Sequence, residues 1–306
     1  ANGTANASGV RIYNSSNVGS NSGSLTINGT SCATGQFSTG VYLFSYTNVS
    51  STGSGPVTIT GLAANGSDFA TGVTLNNHTF AGSNSGNLTI NGTSCGTGTN
   101  AAGVFTFDSS NISSTGTGQV TITGLTTNQS GTGIYLSTSS DKIASNGGQI
   151  TLNANSVNLT GTVNATTAGN VVIQTLGAGV DLGGADNASN LGLTSAEINN
   201  ITAGTLTINS NSGAIVNTDA ITRTNATLGT NLRLISGGAI TQSANGVMSV
   251  SGTANFVAVG NAITFNNNTN NFTTFTANGG AITVNETNSI TLAGVVATGG
   301  LTVNGN

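Results

Sequence analysis

Charge is what this chain has least of. Eight acidic and four basic residues among 306 stand against roughly one charged residue in four for an ordinary globular domain. The cations Arg11, Lys142, Arg223 and Arg233 are scattered, which excludes the phosphate-tracking stripe that nucleic-acid binding needs. No apolar run approaches the ~20 residues of a membrane-spanning helix, so no membrane span is expected in this segment. No secretory signal is evident, and an exported form is expected to have lost its targeting segment or to carry it outside this stretch. Tryptophan is absent and there is one proline beside 46 glycines; without a strict triplet period, that rules out collagen. The two cysteines, Cys32 and Cys95, are too few for a disulfide framework.

Asn, Ser and Thr fill the places that Lys and Glu usually occupy, and the apolar residues are ordered among them. They recur at alternate positions as Val, Ile or Leu, the pattern of half-buried strands. Residues 22–61 and 85–124 align without a gap, 63 positions apart, with 26 of 40 residues identical. A shorter period lies within. The pairs Gly9-Val10, Gly40-Val41, Gly72-Val73, Gly103-Val104 and Gly133-Ile134 are spaced 31, 32, 31 and 30 apart. A fixed period of this size marks a supersecondary unit stacking on its own copies. The fold class is therefore all-β: a parallel β-helix, or β-solenoid, with wide ~31-residue coils up to residue 150 and narrower ~20-residue coils over 151–306. Five wide and about seven narrow coils, at ~4.8 Å each, give a rod near 60 Å long.

Each wide coil holds three strand-like pieces: a GVYLF-like piece (Val41–Phe44, Val104–Phe107), an NVSS or NISS piece (Val49, Ile112), and VTITG or LTING. Gly- and Asn-rich corners such as SSTGSG and SNSG separate them and are expected to supply positive φ. In each third piece the outer residues point inward and the middle one outward. Leu25, Val57, Leu88, Val120 and Ile150 then form one interior ladder, and Ile27, Ile59, Ile90, Ile122 and Leu152 another. Their burial, at ~25 cal/mol per Å² of apolar surface, is the main source of stability. Thr26, Thr58, Thr89, Thr121 and Thr151 make an outward row. Such a row suits ice binding, but Thr is also the polar residue best fitted to an outward strand position.

Residues 177–208 break the pattern, and Thr194-x-x-Glu197 has the spacing of a capping box, predicting a single helical turn before strands resume at Leu206. The VDLGGAD segment followed by LGLTSAEINNITAGTLTINSNSGAI resembles the boundary motif of very large bacterial exoproteins of the filamentous-haemagglutinin type, and the later GGAIT…VxLxG units resemble their repeats. The resemblance covers about residues 145–306, with the boundary loop at 177–205. It implies a right-handed parallel β-helix that is secreted and serves as a surface fibre or adhesin. It brings no catalytic residues to carry over.

Chemistry-bearing residues are sparse. A β-helix polysaccharide lyase or hydrolase clusters carboxylates with each other or with cations on one face. Of Asp68, Asp108, Asp141, Asp181, Asp186, Glu197, Asp219 and Glu286, only Asp181 and Asp186 are close, and a turn-forming role explains them. Asp141-Lys142 has no third partner in sequence, and Asp219 with Arg223 reads as a local surface pair. His78 has no metal-ligand neighbour in sequence and reads as an exposed loop side chain. GAGVD bears a faint likeness to a calcium-binding nonapeptide but occurs once, and that mode needs tandem copies, so no metal is expected. The N-x-S/T triplets at Asn28, Asn91 and Asn111 are what such a composition produces by chance. Cys32 and Cys95 share a repeat position two coils apart, roughly 2 × 4.8 Å, beyond the ~7 Å reach of a disulfide. They are expected to be buried as small hydrophobes in a turn, the alternative being a link between chains.

No catalytic, cofactor-binding or metal-ligating residue is assigned, and no cofactor is expected. The sequence reading is a non-enzymatic extracellular or bacterial cell-surface structural protein, forming a fibre or part of one. The alternative is an adhesin stalk or binding module for cell surfaces or glycans, using loops around 62–72 or 183–200. Self-association is expected end to end and laterally, because neither end shows a capping repeat and few charges oppose bundling.

Overall fold

A computed structural model describes residues 3, 5–128, 130–177, 179–187 and 189–305. The opening ANGT stretch, apart from Gly3, and the last residue of LTVNGN lie outside them. The chain forms two compact units, Ala1–Gly169 and Asn170–Asn306. Among the described residues no helix is long and apolar enough to cross a membrane.

The first unit is a triangular coil stack with three faces. Face A holds Ser8–Tyr13, Thr39–Phe44, Thr71–Asn76, Ala102–Phe107, Thr132–Leu136 and Val157–Leu159. Face B holds Asn17–Ser20, Asn48–Ser51, Phe80–Ser83, Asn111–Ser114, Lys142–Ser145 and Thr162–Asn164. Face C holds Leu25–Ser31, Val57–Ala63, Leu88–Ser94, Val120–Thr126 and Ile150–Ala154. The chain visits A, B and C in turn and every strand pairs in parallel with its equivalent in the next coil, which makes a parallel β-helix. The three expected pieces of each wide coil are the A, B and C strands.

Both interior ladders are present. Leu25 pairs with Val57, then Leu88, Val120 and Ile150, while Ile27 leads through Ile59, Ile90 and Ile122 to Leu152. From Val57 and Ile59 onward these side chains are fully buried. The outward threonines alternate with them and are half-buried or exposed.

The Gly-Val pairs mark where faces A and C touch. A Cβ on Gly61 of face C would lie 2.0 Å from the carbonyl oxygen of Gly72 on face A, and one on Gly92 would lie 2.0 Å from that of Gly103. Neither glycine has a positive φ; only the absence of a side chain lets the backbones meet.

Positive φ falls elsewhere than the sequence suggested. The glycines of the SSTGSG corners have ordinary φ, and a Cβ on Gly55 would meet the Gly23 oxygen at 2.0 Å, so stacking keeps them small. Left-handed backbone instead marks the non-glycine pairs between faces A and B, Asn14-Ser15, Ser45-Tyr46, Asn77-His78 and Asp108-Ser109, with φ of 56–62°. That conformation costs roughly 1–2 kcal/mol per residue. Coil-to-coil hydrogen bonds hold it, Tyr46 N donating to Asn77 O (2.9 Å) and His78 N to Asp108 O (2.8 Å). Each bend is closed by a hydroxyl donating to a carbonyl three residues back, as from Thr47 to Phe44 (2.7 Å) and Thr79 to Asn76 (2.8 Å).

In the second unit the coils shorten progressively. Val171 pairs with Leu206, Leu206 with Leu232, Leu232 with Ala254, Ala254 with Phe275, and Phe275 with Leu292, steps of 35, 26, 22, 21 and 17 residues. The long first step contains the irregular stretch. Gly179–Leu182 pairs with both Asn190–Leu193 and Ile215–Asn217, and one helical turn, Ser195–Asn199, follows. Its capping box is complete: Thr194 Oγ1 accepts from Glu197 N, and the Glu197 side chain accepts from Thr194 N. In the shorter coils Phe256, Phe265, Phe272 and Phe275 pack together fully buried, with ring centroids 4.6–5.7 Å apart.

Candidate binding groove

Strand alternation sends every second face A side chain outward. The register aligns Arg11, Tyr42, Thr74, Phe105, Tyr135 and Asn158 in one column, and Tyr13, Phe44, Asn76 and Phe107 in the next. Successive rings interact: the Tyr42 and Phe44 centroids are 5.5 Å apart, and those of Phe105 and Tyr135 5.3 Å. The Arg11 guanidinium lies 5.4 Å from both the Tyr13 and the Tyr42 ring centres, within cation–π range.

The opposite wall comes from the turns that lead from face C into face A. Phe37 and Phe69 occupy equivalent places and stack with centroids 5.0 Å apart and planes 9° apart. Both have left-handed backbones, φ 58° and 57°, and both rings stay exposed, at 46% and 41%. A bulky residue in that region is a strained conformation, and here no core burial accompanies it. The same wall continues at Asn100, whose backbone N and Nδ2 both donate to Asp68 Oδ1, at 3.3 and 3.1 Å.

Between the walls lies a hydroxyl floor, where Thr71 Oγ1 is 3.3 Å from Thr39 Oγ1 and 2.6 Å from Thr74 Oγ1. The cleft has a volume of about 700 Å³, the size of a ligand site. Of the chain's ten Phe and four Tyr, eight stand on this face or its wall. In the sequence alone, Val41–Phe44 and Val104–Phe107 read only as strands. The signal was there, in the aromatics at the outward positions of GVYLF, GVFTF and GIYL; their alignment across coils needed the register.

The residues singled out from the sequence serve separate local tasks. His78 is exposed, stacks on Tyr46 with centroids 4.9 Å apart and places Nδ1 3.1 Å from Asn77 Oδ1. The Asp181 carboxylate accepts from the Thr218 hydroxyl, and Asp186 accepts from Gly192 N at 2.7 Å. Asp141 is fully buried and accepts from Ser110 N (3.0 Å) and Thr138 N (2.9 Å), bracing the bend of its coil, while Lys142 is exposed. Among the described residues no group of three or more His, Cys, Asp or Glu is placed to hold a metal ion.

Two local expectations differ from the structure. Asp219 is exposed and accepts from Ala220 N, whereas Arg223 is 2% exposed and donates to the carbonyls of Ile201 and Leu228, each at 2.9 Å. The two make no surface pair, because the guanidinium turns inward to satisfy backbone oxygens, and burial pulls its pKa down to about 10. Both cysteines are free, but Cys32 is exposed and Cys95 half-buried; Ser31 and Ala33 beside Cys32, and Ser94 beside Cys95, take the inward places. Glu286 is 1% exposed and holds Phe272 N between its two oxygens, at 3.1 and 3.0 Å; burial raises its pKa against the opposing backbone hydrogen bonds.

Residues 210–278 match a family model described as repeats of unknown function (DUF5649). No curated protein and no solved structure matches the chain.

Proposed function

We propose that this chain is a non-enzymatic extracellular structural protein, a β-solenoid segment of a cell-surface fibre or filament. The observation that supports it best is the coil-to-coil register. Each coil of the first unit offers the next a complete template of three parallel strands, with matching Val, Ile and Leu ladders inside. The same pairing that joins coil to coil can join copy to copy, end to end, and twelve charges in 306 residues oppose lateral packing weakly. The resemblance of residues 145–306 to filamentous-haemagglutinin-type exoproteins and the match to a repeat family support the same reading.

A second reading, a binding module carried on such a stalk, is favoured by the aromatic groove on face A. Immunogold electron microscopy of the source cells tests location and role together. The expected result is label in rows along material projecting from the cell surface. Label confined to the cell interior would overturn both readings.

A further inference from the structure

We propose that the face A groove binds an extended glycan chain, with a carboxylate-bearing sugar at its Arg11 end. This inference rests on the second reading above, the binding module. A pyranose ring has an apolar C–H face and a rim of hydroxyls, and the groove offers partners for both. Tyr42, Phe105 and Tyr135 on one wall and Phe37 and Phe69 on the other line the cleft and supply apolar aromatic surface for the C–H groups. The floor between them is hydroxyl, with Thr39, Thr71 and Thr74 in mutual contact, and it suits sugar hydroxyls. The column from Arg11 to Tyr135 crosses four strand spacings, about 19 Å, room for several sugar units along the coil axis.

Charge selects among glycans. The groove lining contains Arg11 and no Asp or Glu. Arg11 is exposed, its guanidinium lies over the Tyr13 and Tyr42 rings, and among the described residues it has no acidic partner, so its N–H edge can meet a carboxylate. One cation is not a cluster, so the complement is an isolated carboxylate and not a run of sulfates or phosphates. A peptide strand is disfavoured because the Thr39–Phe44 and Thr71–Asn76 strands are already paired on both sides, leaving no edge to extend. The strained Phe37 and Phe69 backbones fit the same picture, since they place two rings over the cleft at the expense of local conformational energy.

The test is a glycan array probed with the full chain, carrying uronate oligomers (oligogalacturonate, alginate, hyaluronan), neutral cello- and chito-oligomers, and heparin. Retention of at least one uronate class is expected, with neutral chains held more weakly. Calorimetry with that uronate oligomer should then show affinity reduced about tenfold or more by Tyr42→Ala and by Phe69→Ala on the opposite wall. Arg11→Gln should remove the preference for uronate over the neutral chain. Circular dichroism checks that each variant remains folded, and because the two walls are separate, loss of fold in one variant leaves the other to decide. No retention of any glycan, retention of heparin alone, or binding unchanged in the wall variants would each overturn the proposal. Retention that all three variants leave intact would place glycan binding elsewhere on the chain, refuting this groove while sparing the binding-module reading.

Discussion

Glu286 carries a cost that pH can reveal. Its carboxyl is nearly inaccessible, and burial raises its pKa above the ordinary carboxylate value. A group whose pKa is higher folded than unfolded adds its full stability below the unfolded pKa, near ~4.3 for Glu, and loses it as pH rises through the folded pKa. The second unit should therefore lose stability through this residue as pH rises from about 4 through the raised folded pKa. Glu286→Gln keeps an acceptor for Phe272 N and removes the charge. Thermal melts are expected to show the variant more stable than the parent at pH 7, the two converging near about pH 4. Equal melting at pH 7 would show that the carboxylate is not desolvated. Residue-level facts of this kind were the least legible in the sequence. Arg223 and Asp219 are four positions apart and opposite in charge, which reads as a pair, yet the turn at 225–229 and Ile201 supply carbonyls that only the folded coil brings within reach.

Strands and corners were more legible, for a physical reason. Face C strands repeat their inward Val, Ile and Leu at period two and their neighbours at period ~31, so composition and register agree in every coil. The helical turn was readable too, because Thr194 and Glu197 satisfy each other's backbone N–H within four residues. The corners were misread because two different demands favour the same residue types. Glycine at 55, 61 and 92 answers close backbone approach, while at the bends between faces A and B positive φ is carried by Asn, Ser, Tyr, His and Asp held by coil-to-coil bonds. Gly92→Ala would set a methyl 2.0 Å from the Gly103 oxygen and 2.8 Å from the Val104 side chain, and the backbone clash has no flexible group to yield. A loss of about 1–3 kcal/mol in denaturant unfolding is expected. Gly23→Ala, whose new Cβ meets nothing closer than 3.4 Å, should be neutral or slightly stabilising. Equal effects from the two substitutions would remove the interlock of faces A and C from the account.

At the scale of the whole molecule, each unit is built by one operation: a coil is laid down and the next pairs with it in parallel. The first unit keeps its period near 31 as far as Ile150 and fills its interior with aliphatic ladders. The second shortens its step from 35 to 17 residues and packs four phenylalanines together inside. The architecture was legible because it is one pattern repeated. The groove was not, because its aromatics belong to different coils and come together only through the stacking register. Coil stacking also makes the fibre reading measurable, since strands lie across the stacking direction and their spacing lies along it. Diffraction from aligned native material is the most direct test. The account predicts filaments with a meridional reflection near 4.8 Å. Native full-length protein that remains a dispersed, end-capped monomer, with no axial 4.8 Å repeat in any assembled form, would contradict the fibre and leave the binding module in its place.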